Sequence, residues 1–217
     1  MYKTVVFDLD GTLLNTLTDL ADAGNRLCRK YGWPTHERQA YRYFVGNGIP
    51  KLVERLAPAD QRTPAVLEAA LADFKRDYGQ HLRDTTAPYP GIPEMLAKLK
   101  ANGVQLAVFS NKADALAKEV VKDYFGTQYF TIVRGQMTGV APKPAAEGTN
   151  ALLQALHAGP ASTLYVGDSN VDVETAHNAN LPCCGAVWGF RTREELNAAG
   201  AEYLAENSDE LYDVIMK

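Results

Sequence analysis

The chain is poor in cysteine, carries no excess of basic charge and contains no long apolar run. Cys28, Cys183 and Cys184 are the only cysteines in 217 residues. An odd count with two adjacent members makes no disulfide framework, and no His or Cys stands at zinc-ligand spacing beside them. They read as reduced, mostly buried thiols of a cytoplasmic protein. The 22 Lys and Arg against 26 Asp and Glu leave a formal charge of −4. No bulk attraction to nucleic acid or to an anionic membrane is therefore expected. Nothing approaches the roughly 18–20 apolar residues of a membrane span, and the run after Met1-Tyr2-Lys3 is too short for a secretory signal. Low-complexity segments and internal repeats are also missing. What is there, 46% hydrophobic and 22% charged, is ordinary globular composition. The length suits one large domain, or a domain of about 150 residues with an insert.

Several short apolar runs end abruptly in polar residues. Thr4-Val5-Val6-Phe7 ends at Asp8, residues 105–109 end at Ser110, and residues 163–167 end at Asp168. Continuous, β-branched and four or five residues long, they predict strands buried on both faces of a parallel sheet. Further strands are expected at 130–133 and 183–187, with a weak one near Tyr203-Leu204. Helical stripes lie between them. Ile92, Met95, Leu96 and Leu99 form one, with Gly103 as its stop. Leu116, Val120, Val121 and Tyr124 form another, and Thr149, Leu152, Leu153 and Leu156 a third, closed by Gly159-Pro160. Thr192-Arg193-Glu194-Glu195 matches a capping box. Alternating strands and helices predict an α/β fold: a Rossmann-like parallel sheet core flanked by helices.

Residues 16–85 break the alternation. Leu17, Leu20, Ala21, Gly24, Leu27, Cys28 and Tyr31 share one helical face; Leu67, Leu71, Phe74 and Tyr78 share another. The expectation is an inserted, all-helical domain over 16–85, with residues 1–15 and 86–217 forming the core.

In open parallel sheets the ligand lies beyond the carboxyl ends of the strands, where Asp8, Ser110 and Asp168 converge. In Asp8-Leu9-Asp10-Gly11-Thr12 two carboxylates can face one pocket if the chain leaves the strand in a loop, and Gly11 exposes N–H groups to an anion. Ser110 adds a hydroxyl and Asn111 another N–H; Ser110 could equally cap a helix starting near Ala113. Lys143 stands between Pro142 and Pro144 as a cation in a stiff loop. Asp168 and Asp172 bring two further acids. Four carboxylates in one site would repel unless a divalent cation sat among them, and hard oxygen ligands favour Mg²⁺.

These four elements, in this order, resemble the haloacid-dehalogenase-like hydrolase superfamily, and specifically its phosphatases. They are residues 7–13, then Phe109-Ser110-Asn111-Lys112, then Lys143-Pro144, then Gly167-Asp168-Ser169 with Asp172. The helical insert stands where that family carries its cap domain. The resemblance implies Asp8 as the nucleophile of an aspartyl-phosphate mechanism and Asp10 as general acid and base. It implies Mg²⁺ on Asp8, the Asp10 carbonyl and Asp168. Lys143, Ser110 and the Gly11, Thr12 and Asn111 segments would cradle the phosphate, and Asp172 would orient Lys143 or a metal-bound water. The carboxylate at position 10 favours phosphatases over dehalogenases.

Substrate choice would come from the insert. Gly46-Asn47-Gly48 runs into a helix with Pro50 in its first turn and Lys51 nearby, an arrangement that suits a second anionic group. A plain helix–helix turn is the competing reading. This segment, Val53-Glu54-Arg55, Tyr89-Pro90-Gly91, Ser110-Asn111-Lys112 and Trp188-Gly189-Phe190 are similar to the phosphoglycolate phosphatase branch. The resemblance then implies a small phosphate ester such as 2-phosphoglycolate, handled by a monomer or homodimer with no nucleic-acid or membrane partner. Asn15 and Ala146 depart from the family pattern, at an acid and a proline position respectively. Alternatives are a phosphomutase of the β-phosphoglucomutase type and a phosphatase or pyrophosphatase of other or broad specificity. More remote are a non-enzymatic phospho-acceptor of the receiver type and a nucleotide-binding Rossmann domain, for which no G-x-G-x-x-G follows the first strand.

Overall fold

The computed structural model describes residues 1–217. In chain order the elements are β1 (Thr4–Phe7), β2 (Leu14–Asn15), α1 (Leu17–Tyr31), α2 (Arg38–Phe44), α3 (Ile49–Leu56), α4 (Pro64–Gln80), β3 (Ala87–Pro88) and α5 (Ile92–Ala101). Then come β4 (Gln105–Ala113), α6 (Asp114–Phe125), β5 (Phe130–Gln136), α7 (Ala146–Leu156), β6 (Thr163–Gly167) and α8 (Asn170–Asn178). The chain closes with β7 (Cys183–Ala186), α9 (Arg193–Ala198), β8 (Tyr203–Ala205) and α10 (Ser208–Met216). It divides into two compact units, residues 1–14 with 88–217 and residues 15–87.

The larger unit is built on a six-stranded sheet of order β5-β4-β1-β6-β7-β8, every pairing of which is parallel. β1 lies near the centre and all four of its residues are buried, which is why it reads as an unbroken Thr-Val-Val-Phe run rather than an alternating one. From β1 the chain moves one way through β4 and β5, then returns to place β6 on the other side of β1. That reversal is the topological switch point of an open α/β sheet, where a crevice forms beyond the strand ends. Phe7 is level with Val108 on one side and Val166 on the other. Asp8 and Asp168 therefore leave the sheet at the same edge, beside the stretch of β4 that carries Ser110.

Several boundaries differ from expectation, among them β5, which runs on to Gln136 instead of ending at residue 133. β4 continues to Ala113 instead of stopping at Phe109, with a register shift against β5 after Phe109. Ser110 is thus a strand residue and does not cap α6, whose N-cap is Ala113; its Oγ instead accepts from Lys112 N at 3.2 Å. α7 closes on His157 in the left-handed region, φ 52°, before Gly159-Pro160 is reached. β7 stops at Ala186, one residue early. The capping box at Thr192 and Glu195 forms as expected.

The smaller unit is all helical apart from its ends. In α4 the buried stripe is Ala70, Phe74 and Tyr78, with Leu67 and Leu71 only half-buried. In α1 the buried set includes an acid, Asp19. Its carboxylate accepts from the backbone N–H and hydroxyl of both Thr85 and Thr86, at 2.5 to 3.2 Å. A buried carboxylate is tolerated only when hydrogen-bonded in this way, and here it ties the returning chain to the first helix. No helix is long and apolar enough to cross a membrane.

Candidate active site

Asp8 follows β1 and is 8% exposed. Its Oδ1 accepts from Lys143 Nζ at 2.7 Å, and the same ammonium donates to Asp172 Oδ1 at 2.7 Å. Lys143 also donates to the Tyr165 hydroxyl at 3.2 Å and to the Phe109 carbonyl at 3.3 Å. Four oxygens around one buried ammonium compensate its desolvation. Burial alone pulls the lysine down, but Asp172 and Asp8 outweigh it and raise Lys143 well above its usual value. It is a fixed positive charge.

Asp168 follows β6 in a pocket shaped by absent side chains. A Cβ on Gly11, whose φ is +95°, would fall 2.3 Å from Asp168 Oδ2, and one on Gly189 would fall 2.2 Å from Asp168 Cβ. The carboxylate accepts from Thr12 Oγ1 at 3.1 Å and from Phe190 N at 2.7 Å. Trp188 Nε1 in turn donates to the Thr12 carbonyl at 3.0 Å. Thr12 is wholly buried. Its hydroxyl bonds Asp168, where the resemblance implies that the Thr12 segment meets the phosphate.

Asp172, a helical turn further on in α8, is placed by its second oxygen, which accepts from Asp168 N, Ser169 N and Ser169 Oγ. Asp8, Asp168 and Asp172 each offer a carboxylate oxygen within 4.8 Å of the other two. Burial pushes Asp8 up to about 7 against the pull of Lys143. Burial, with the charges of Asp172 and Asp8, holds Asp168 well above the ordinary carboxylate range. Three buried acids balanced by one ammonium leave a net negative cavity of hard oxygen donors, and this fits a divalent cation.

The carboxylate cluster adds Asp172 to Asp8 and Asp168; Asp10 is expected at the metal through its backbone carbonyl. The Asp10 side chain is held by Lys112, whose Nζ donates to Oδ1 at 2.9 Å and Oδ2 at 3.2 Å. Lys112 was not anticipated as a site residue. Its signal was available: in a strand, residues 110 and 112 share a face. The Asn111 side chain, expected to contribute only its N–H, bonds the backbone of Lys143.

The remaining candidates lie in the helical unit. Gly46 (φ 106°) and Gly48 (φ 82°) take left-handed conformations before α3. Asn47 Oδ1 accepts from Arg55 Nη2 at 2.8 Å, and Arg55 Nη1 donates to the Phe44 carbonyl at 2.8 Å. Lys51 is exposed and donates to both Glu54 oxygens at 2.8 Å. Its charge is already paired, which weakens its expected part in anion binding. The three thiols are buried and free; burial pushes Cys28 up to about 11 and Cys184 up to about 12, far from redox reactivity. His177 pairs with Glu202 at 3.0 Å and joins no site.

Comparison with known proteins gives the family. Residues 5–186 match the haloacid dehalogenase-like hydrolase family model. Phosphoglycolate phosphatase of Thiobacillus denitrificans is 31% identical over 191 residues, covering 87% of this chain and 84% of that one. Phosphoglycolate phosphatase of Chromobacterium violaceum is 31% identical over 216 residues, covering 98% and 96%. Among solved structures, a protein proposed to be a phosphoglycolate phosphatase, from Lactobacillus delbrueckii subsp. bulgaricus, has a TM-score of 0.93 at 28% identity, over 99% of this chain and 98% of that one. A haloacid dehalogenase-like family hydrolase of Streptococcus pneumoniae, at 21% identity and a TM-score of 0.88 over 98% of both chains, shares the fold. A family match spanning most of the chain, with relatives aligned nearly end to end, settles the affiliation: the chain belongs to the haloacid dehalogenase-like hydrolases and, among them, to the phosphoglycolate phosphatase-like phosphatases.

Proposed function

We propose that the chain hydrolyses 2-phosphoglycolate, or a similarly small phosphorylated acid, through an aspartyl-phosphate on Asp8. The observation that carries this reading is Lys143 Nζ bridging Asp8 and Asp172, each at 2.7 Å, beside the glycine-walled carboxylate of Asp168. The substrate rests on the 31% identity to phosphoglycolate phosphatases over nearly the whole chain.

Asp8 attacks phosphorus, forming an Asp8 O–P bond as the bond to the leaving oxygen breaks. Asp10 gives its proton to that oxygen, then takes one from the water that attacks the acyl phosphate, releasing phosphate and restoring Asp8. Lys143, held rigid by its four oxygen partners, spreads positive charge over the nucleophile and the phosphoryl oxygens. Ser110 Oγ and the N–H groups of Gly11 and Asn111 complete the cradle, while Thr12 and Phe190 N keep Asp168 aimed. Asp8, Asp168 and the Asp10 carbonyl would hold Mg²⁺, with Asp172 fixing Lys143 alongside; when bound, the ion supplies charge neutralisation for the phosphoryl oxygens. The helical unit is read as the cap. Buried, reduced thiols suit a cytoplasmic setting.

The test is phosphate release from 2-phosphoglycolate, sugar phosphates, pyrophosphate and a nucleotide, with and without Mg²⁺ and EDTA. A kcat/KM for 2-phosphoglycolate tens-fold above the rest is expected, with turnover abolished in D8N but its melting transition retained. A flat profile removes the glycolate assignment. Turnover only after a sugar bisphosphate is added indicates a mutase instead.

A further inference from the structure

Lys112 and Lys143 are the two buried lysines of the chain. The reading above uses Lys143 and leaves Lys112 without a role. An ammonium withdrawn from water costs several kcal/mol unless it is well paired, so its placement calls for an account. The side chain of Lys112 is 2% exposed and that of Asp10 20%. Lys112 is therefore withdrawn from solvent, while Asp10 keeps part of its carboxylate exposed. Its Nζ reaches both Asp10 oxygens, at 2.9 and 3.2 Å, a grip that fixes the tilt of the carboxylate as well as its position.

The base of the lysine is also held. Lys112 N donates to Ser110 Oγ at 3.2 Å. On the neighbouring strand, Gly135 lets the bulged end of β4 come close: a Cβ there would lie 2.4 Å from the Lys112 carbonyl oxygen. Asp10 sits in a tight turn in which the N–H groups of Leu13 and Leu14 both donate to the Leu9 carbonyl at 3.0 Å. That turn sets its backbone and leaves its partly exposed carboxylate to be oriented by Lys112.

We infer that Lys112 is a positioning residue for proton transfer at the leaving oxygen, acting through Asp10; this rests on the reading of Asp10 as the acid–base group. As the P–O bond to the leaving group breaks, its electron pair goes to the leaving oxygen, which takes the proton from the Asp10 carboxyl. The carboxylate left behind is met by an ammonium already in place. Orientation of this kind matters most where the leaving group is poor, because there the proton must be well advanced in the transition state.

The experiment compares kcat/KM of the full-length chain with Mg²⁺ on an alkyl phosphate, 2-phosphoglycolate or whichever alkyl phosphate is hydrolysed fastest, and on p-nitrophenyl phosphate. The variants are K112M, K112Q, K112R, D10N and D10N/K112M. Loss of one charge-assisted hydrogen bond predicts an alkyl kcat/KM lower by about 10- to 100-fold in K112M. The aryl value should move less than threefold, K112R should recover most of the alkyl rate, and D10N/K112M should be no slower than D10N. Should K112M fail to melt cooperatively, K112Q is read in its place. Equal losses on both substrates in the Lys112 variants, with D10N still selective, would overturn the proposal alone, as would a double variant equal to the product of the singles. Equal losses in D10N itself would remove the acid role of Asp10 and the proposal with it.

Discussion

Asn111 and Lys143 hold each other by a reciprocal pair of hydrogen bonds: Lys143 N donates to Asn111 Oδ1 at 2.9 Å, and Asn111 Nδ2 donates to the Lys143 carbonyl at 3.2 Å. The carboxamide thus takes the place of a strand partner for a residue that has none, and it joins the end of β4 to the loop before α7. The ammonium that bridges Asp8 and Asp172 is aimed by this splint as much as by its own oxygen partners.

Replacing Asn111 with Ala keeps the N–H proposed to meet the phosphate and removes the splint. Two buried backbone groups lose their partner, at about 1–3 kcal/mol each. A lower melting temperature is expected, with kcat reduced at least tenfold. Unchanged kcat and an unchanged melt would show that the Lys143 loop holds itself.

The acid cluster predicts a pH-dependent response to metal. Burial raises Asp8 to about 7 and Asp168 well above its ordinary range. From about pH 4, where unfolded carboxylates titrate, up to the raised folded values, the folded state binds more protons than the unfolded one. Without metal, these groups therefore favour folding at low pH, and that contribution is lost as pH rises through the folded values. A divalent cation compensates the ionised cluster. The Mg²⁺-induced rise in melting temperature should be larger at pH 7.5 than at pH 5.5. An equal rise at both would place the ion elsewhere.

Gly189→Ala tests the wall around Asp168. The added Cβ would lie 2.2 Å from Asp168 Cβ and 2.5 Å from the Gly11 carbonyl oxygen. Overpacking of this kind costs about 1–3 kcal/mol and should abolish both turnover and the Mg²⁺-induced shift. Gly159→Ala, where a Cβ meets nothing within 4 Å, is the control and should leave both unchanged. Full activity in the first variant would mean that the wall gives way.

Asp19→Ala removes the carboxylate that accepts from four donors on Thr85 and Thr86. In urea titration it should lose at least about 3 kcal/mol, whereas Asp60→Ala, at an exposed site, should stay within about 0.5 kcal/mol. Similar midpoints for the two variants would show that water reaches Thr85 and Thr86 once the acid is gone.

The sheet was legible because its strands are buried on both faces and so are written as short apolar runs, each ended by a residue with work to do: Phe7 by Asp8, Phe109 by Ser110, Gly167 by Asp168. The misread stretches were those where a local rule gave way to a neighbour. Ser110 looks like a helix cap, yet pairing with β5 carries β4 to Ala113 and makes it a strand residue. Leu67 and Leu71 fit the α4 stripe as well as Ala70 does, and only packing within the helical unit selected Ala70.

The amino-acid sequence by itself determined the α/β alternation, the helical segment inserted after the first strand and the position of Asp8 and Asp168 at the ends of their strands, because periodicity is a local property of the chain. Tertiary structure decided which charges meet. Lys143 is 135 residues from Asp8 and 29 from Asp172, yet bonds both. Lys112 reaches back 102 residues to Asp10, and Thr12 bonds Asp168 across 156 residues. Lys51, expected to meet an anion, is claimed by Glu54. Side-chain pairing depends on distances of about 3 Å, which only the packed sheet, with its register and its glycine-walled gaps, brings into being.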